Sequence, residues 1–203
     1  TYTDGNRTIA HSAADKPSFS TLLLEGKGYV EVTATTFVSG DWIGAANLDF
    51  VQGTDIAASS DTWVYKPSTG YKSNGDGDPG VAYGGAMSAG EIIGIAWDMT
   101  LGSGSNKIWI RNDGTWENSG DPAAGTNAMY SNLPAKMKLV QGSRSVSAAA
   151  FTLNSGQSAF ASAAPTGFSA FGTQNFATPT TPDPTEHHQI ELVNHDGSST
   201  AFT

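Results

Sequence analysis

The run Asn74-Gly75-Asp76-Gly77-Asp78-Pro79-Gly80 places three oxygen-bearing side chains at alternate positions, which is the opening spacing of a calcium-binding loop. Counted from Asn74, the twelfth position is Gly85 rather than a bidentate Glu. Pro79 stands where that loop has its glycine, so an EF-hand is excluded. A looser calcium site at Asn74, Asp76 and Asp78 is the one cofactor the sequence offers, and an ordinary hydrophilic loop is the plainer reading. Aromatic residues bracket this run: Tyr65 and Tyr71 before it and Tyr83 after it, with Trp42 and Tyr130 as second choices. A ring beside Asn and Asp acceptors suits a sugar, whose apolar face stacks while its hydroxyls are hydrogen-bonded. The same side chains suit a protein interface, where Tyr and Trp are the usual anchors. The expected ligand-binding set is therefore Tyr65, Tyr71, Asn74, Asp76, Asp78, Tyr83, Trp42 and Tyr130.

Catalytic chemistry finds little support. The only histidines, His11, His187, His188 and His195, fall outside the expected core, and there is no Cys to act as a nucleophile or to hold a metal. No Gly-x-Ser-x-Gly elbow, phosphate loop or His-Glu-x-x-His pattern occurs. A non-catalytic protein is expected.

The elements that must carry these residues are strands. Among 203 residues there are 24 Gly and 9 Pro, and only 14% are charged, which disfavours ion-pair-laced amphipathic helices. The net charge of −9 argues against a phosphate-backbone partner such as nucleic acid, which needs clustered Lys and Arg. No apolar run approaches the roughly 18 residues of a membrane-spanning helix, so membrane insertion is not expected. A chain of this length can hold one domain with a substantial core.

The clearest strand pair lies at 91–116. Residues 92–99 are almost continuously apolar. In 107–111, Ile108 and Ile110 alternate with Lys107, Trp109 and Arg111, and Asn112-Asp113-Gly114 forms a tight turn. Alternation makes Trp109 the least core-like of the five Trp residues. A second well-patterned strand spans 29–36, with Tyr29, Glu31, Thr33 and Thr35 on one side and Val30, Val32, Ala34 and Thr36 on the other. Further strands are expected at 7–10, 19–25, 42–48, 62–66, near Tyr71, at 81–83, 135–141 and 145–153. Residues 117–134 read as a long loop, and 155–163 as a connector in which Phe160 tucks under the domain.

This punctuation resembles a SPRY domain, a bent antiparallel β-sandwich of the concanavalin-like jelly-roll class. The resemblance rests on Tyr29-Val30-Glu31-Val32, Trp42-Ile43-Gly44-Ala45, Trp63-Val64-Tyr65, the stretch from Gly90 to Asp98, and the stretch from Ile108 through Asn112-Asp113-Gly114 to Trp116. The chain departs from the family pattern in a longer turn at 101–106 and in Arg111 and Asp113 around the Asn-Gly turn. The run Gly120-Asp121-Pro122-Ala123-Ala124-Gly125-Thr126-Asn127 is similar to copies in tailed-phage structural proteins. The resemblance implies an all-β fold and a binding role.

The expected organisation is an N-terminal arm at 1–16, a sandwich at 17–171, a Pro/Thr linker at 172–186, and a terminal segment at 187–203. That segment carries one extra strand at 189–193, which docks on a partner or opens a further module. Thr1 in place of Met suggests a processed form or fragment. The expected function is a non-catalytic binding module of a phage virion, in a tail fibre, tail tip or capsid decoration, which grips a host-surface glycan or protein with its loops. Other virion subunits would be met through the terminal segment, in a homo-oligomeric assembly. The alternatives are a purely structural decoration protein, a peptide-binding adaptor, or a secreted or cell-surface location.

Overall fold

A pleated strand sends alternate side chains to opposite faces, so residues 27–36 must bury two unlike surfaces: Val30, Val32 and Ala34 on one, Tyr29 and Glu31 on the other. The computed structural model describes residues 2–3, 8–11, 16–36, 40–144, 149–172, 191–193 and 199–201. In chain order the strands are β1 (Tyr2–Thr3), β2 (Thr8–His11), β3 (Ser18–Phe19), β4 (Lys27–Thr36), β5 (Asp41–Asn47) and β6 (Thr62–Lys66). Then come β7 (Tyr71–Ser73), β8 (Val81–Ala82), β9 (Ile92–Asp98), β10 (Asn106–Asn112), β11 (Thr115–Trp116) and β12 (Tyr130–Leu133). The last are β13 (Met137–Ser143), β14 (Ala149–Asn154), β15 (Ser169–Ala170), β16 (Glu191–Val193) and β17 (Ser199–Ala201).

The first sheet runs β1-β2-β14-β4-β9-β10-β11, with β12 also on β10 and β15 on β4. The second runs β3-β13-β5-β6-β7-β8. Pairing is antiparallel throughout both, apart from the β4–β15 contact. Between the sheets lies a core of Val30, Val32, Ile93, Ile95, Trp97, Ile108 and Ile110 from one side. Ile43, Ala45, Trp63, Tyr65 and Leu139 meet them from the other. Each such large apolar side chain contributes roughly 2 to 3 kcal/mol on burial. Gly28 makes room for Trp97, since a Cβ there would collide with the indole.

Both outer faces are covered as well. Trp42, Ala46, Val64 and Val140 on the second sheet lie under Phe50, Ile56 and Ala57. On the first sheet, Tyr29, Ala96 and Trp109 lie under Phe168, with Phe160 and Ala164 packed alongside. Alternation therefore assigned Trp109 to the correct face, but that face is closed. The indole is fully buried, donates from Nε1 to the Thr126 carbonyl at 2.8 Å, and meets Phe168 edge-on.

The cover over the first sheet is tied down at Glu31, which is 3% exposed. Its carboxylate accepts the N–H groups of Ala161 (2.7 Å) and Ser162 (2.8 Å) and the Tyr29 hydroxyl (3.0 Å). Arg111 donates to the Ala163 carbonyl at 3.1 Å and stacks 4.2 Å from the centre of the Trp116 ring. Two strands of the sheet thus grip three successive connector residues. Burial, reinforced by Glu31 and offset by Arg111, pushes the Tyr29 phenol far above its ordinary range, so it stays a neutral donor.

Several sequence expectations are corrected. The strand expected at 19–25 is only two residues long, and the loop expected at 117–134 contains a 3-10 turn (Glu117–Ser119) and strand β12. The chain divides into two compact units, Thr1–Gly172 and Thr173–Thr203. In the second, β16 pairs antiparallel with β17, matching Glu191 with Ala201 and Val193 with Ser199, so two strands stand where one was expected. The expected Pro/Thr linker lies outside the described residues from 173 onward.

Glu31→Gln leaves the carboxylate's backbone donors short of acceptors, and should lower unfolding stability by about 3 kcal/mol, read as a fall in urea midpoint at unchanged slope. Acid sensitivity should reside partly in Asp98, 4% exposed and paired with Lys27 at 3.1 Å. Burial alone would raise its pKa, but hydrogen bonds from the Thr100 hydroxyl and N–H and the Lys27 charge outweigh it and hold the pKa below the ordinary value. A depressed carboxylate contributes stability above the unfolded-state pKa and loses it as pH falls through the folded one. Melting temperature should therefore drop below about pH 4, and Asp98→Asn should flatten that limb.

Candidate functional site

Three successive antiparallel strands, β6, β7 and β8, together with the loop between the last two and the residue after β8, carry most of the expected ligand residues, and the strand register sets which face each side chain takes. Lys72 faces Tyr65 and Val81 across its neighbours, whereas Tyr71 faces Lys66 and Ala82. Directly opposed residues share a face. Tyr65, Lys72 and Val81 therefore point inward toward the first sheet, and Lys66 and Tyr71 point outward. Gly70, at φ +75°, makes the turn between β6 and β7, and its carbonyl accepts the N–H groups of Tyr83 (3.1 Å) and Gly84 (2.7 Å). That pins Tyr83 beside Tyr65, with the rings edge-on at 6.4 Å.

On the inward face the two sheets meet at a rim. The Lys72 ammonium lies 5.0 Å from the centre of the Tyr83 ring and 4.7 Å from that of Tyr130, and donates to the Met129 carbonyl at 2.7 Å. Tyr83 follows the second sheet and Tyr130 belongs to the first, so one lysine joins both. Burial lowers the Lys72 pKa, opposed by the charge of Asp76. Burial also carries the Tyr83 and Tyr130 phenols well above their ordinary range, as does Glu117 for Tyr83 and Asp76 for Tyr130. Both are neutral hydrogen-bonding groups at any working pH.

Glu117 braces the rim from below. Its carboxylate accepts the Gly85 N–H at 3.0 Å and lies 3.4 Å from the Tyr65 hydroxyl, which itself donates to the Gly85 carbonyl at 2.6 Å. The Tyr83 hydroxyl sits 3.5 Å from the carbonyls of Glu117 and Asn127. Asn118, Ser119 and Asn127 have φ of 52°, 54° and 50°, a left-handed backbone that costs non-glycine residues of order 1 kcal/mol or more each. Asn127 Nδ2 donates to the Ser119 carbonyl at 3.1 Å, which holds the two strained segments together.

The remaining expected residues serve elsewhere. Trp42 and Tyr65 are fully buried and offer no ring to solvent. Asn74 Nδ2 donates to the carbonyls of Ser60 (2.8 Å) and Thr62 (2.7 Å), closing the loop back onto β6. Asp76 is exposed, and one of its oxygens accepts the Asn74 N–H. Asp78 is held by two cations: Oδ1 pairs with Lys66, and Oδ2 with Arg144 Nη1 at 2.8 Å, while Arg144 Nε pairs with Asp55 at 2.8 Å. Lys66 in turn lies 5.6 Å from the Trp42 ring centre. Among the described residues, no three acidic or histidine side chains are grouped to hold a metal.

Sequence reasoning missed Lys72, Glu117 and the left-handed asparagines. Lys72 carried a usable signal, a lone cation between Tyr71 and Asn74 in an acidic chain. Glu117 and Asn127 carried none, because their role depends on a loop folding back 32 to 44 residues from its partners. Since Asp78 is committed to two cations, millimolar calcium should leave the melting temperature unchanged. Asp78→Asn should cost about 2 kcal/mol in urea unfolding, reduced from the fully buried case because the carboxylate is partly solvated.

No protein-family model and no curated protein matches the sequence. Among solved structures the chain is similar to the SPRY domain of human HERC1, at TM-score 0.59 and 13% identity, over 77% of this chain and 92% of that one. It is similar to a further human SPRY domain at TM-score 0.54 and 16% identity, over 75% and 92%. At such identities the likeness is one of fold: the chain carries a β-sandwich of the SPRY type.

Proposed function

We propose that this chain is a non-catalytic recognition module of a phage virion, carried in a tail fibre, tail tip or capsid decoration. Its rim around Lys72, Tyr83 and Tyr130 binds a protein or glycan of the host surface. The observation that carries this reading is the sandwich of an ammonium between two tyrosine rings contributed by opposite sheets, where the neighbouring loops keep a strained backbone. Strained, over-determined loops on a rigid scaffold are where binding groups concentrate. The likeness to SPRY domains and the phage-like run from Gly120 to Asn127 support the same reading. A homo-oligomeric assembly would multiply weak contacts at each rim.

A structural role is the second reading, favoured by the separate compact unit that carries β16 and β17. Here that unit would meet a neighbouring virion subunit. Glycan and host-envelope protein arrays probed with the full chain separate the two. Tyr83→Ala and Asn127→Ala should each weaken captured ligands on the order of tenfold or more; both also lower the melting temperature, so binding is compared well below the unfolding transition of each variant. Undiminished binding by both variants, or no ligand on either array, would move the weight to the structural reading.

A further inference from the structure

Lys72, half-buried at the rim, has no carboxylate within ion-pair distance among the described residues, and the exposed Asp76 acts on it only from farther away. The one hydrogen-bond acceptor of Lys72 among the described residues is the Met129 carbonyl, and an ammonium carries three donors. The Tyr130 ring lies against it, and the hydroxyl of that ring is buried with no hydrogen-bond partner among the described residues. Leaving a buried donor unsatisfied costs of order 1 to 3 kcal/mol. An ammonium with donors to spare, set at the rim beside an open strand edge, describes a site for an anion.

The adjoining edge says what presents it. The second sheet ends at β8 among the described residues. The Tyr83 N–H donates to the Gly70 carbonyl, which fixes the phase of the ladder: Lys72 and Val81 exchange hydrogen bonds, and the main-chain groups of Ala82 point away from β7. Val81, 49% exposed, lies directly opposite Lys72 on the inward face. An extended segment added along β8 would pair with Ala82. Its next residue, opposite Val81, would share the inward face with Lys72.

We infer that the rim takes a carboxylate from an acidic side chain of an extended partner segment, which adds as a further strand to β8. This rests on the reading of the rim as a recognition surface. The shared chemistry of a carboxylate could also come from a sialylated glycan, but a glycan makes no use of the open Ala82 main chain.

The test uses the full chain, with Lys72→Met and Tyr83→Ala, against immobilised peptides alternating Val with Glu, Gln or Lys, alongside sialylated and neutral glycans. The Glu peptides should bind, Gln peptides on the order of tenfold more weakly, and Lys72→Met should erase that preference. Methylating the central peptide amide should also remove binding, which a purely structural Lys72 would not explain. Equal binding of Glu and Gln peptides overturns the carboxylate, and capture of sialylated glycans alone overturns the added strand. Ligands lost in Tyr83→Ala but kept in Lys72→Met overturn this inference while sparing the rim, and ligands kept in both variants overturn the rim as well.

Discussion

A carboxylate at 3% exposure has almost no water, so the chain must solvate it, and Glu31 is solvated by the segment that closes the domain. Two consecutive N–H groups and a phenol hydroxyl converge on it, while Arg111 balances its charge through Tyr29 and holds the next carbonyl along. Hydrogen bonds to an ionised group are the strong ones, each worth about 1.5 to 3 kcal/mol net. They fix the 155–171 connector over the outer face of the first sheet. Without that cover, Tyr29 and Trp109 would face water from a sheet whose other side is already the core.

The rim depends on this arrangement at one remove. Trp109 is held on its buried side by Phe168 from the connector, and its Nε1 holds the Thr126 carbonyl. Thr126 pairs with Asp121, and this closes the loop that returns through Asn127 and Met129 to Tyr130. The position of Tyr130 beside Lys72 is thus set from the first sheet, and that of Tyr83 from the second, through the Gly70 turn. Lys72 spans the gap. On the proposed reading of the rim, a surface braced from both sheets needs little reorganisation on binding, which is the main route to affinity for a small contact area.

Much of the sandwich was legible because its strands alternate cleanly. Val30, Val32 and Ala34 against Tyr29 and Glu31, and Ile108 and Ile110 against Trp109 and Arg111, read out two faces directly. What alternation could not supply was the fate of the second face. A polar-out strand and a strand covered by a connector look alike when the cover comes from residues 59 positions away, as Phe168 does for Trp109. The candidate site was legible in its residue types but not its grouping. Tyr83 and Tyr130 come together although 47 positions separate them, whereas Tyr71 and Lys72, adjacent in sequence, part to opposite faces. Asp78 read as a free acidic ligand because its partners Lys66 and Arg144 lie 12 and 66 positions away in the sequence.

The claim that binding occurs at the junction of the two sheets is tested most directly by backbone hydrogen exchange of the full chain with and without a captured ligand. Slowed exchange at 70–85 together with 117–132 is the result this account predicts, since those segments form the two sides of the rim. Protection confined to the exposed apolar residues Phe19, Leu48 and Val51, with the rim unchanged, would contradict it.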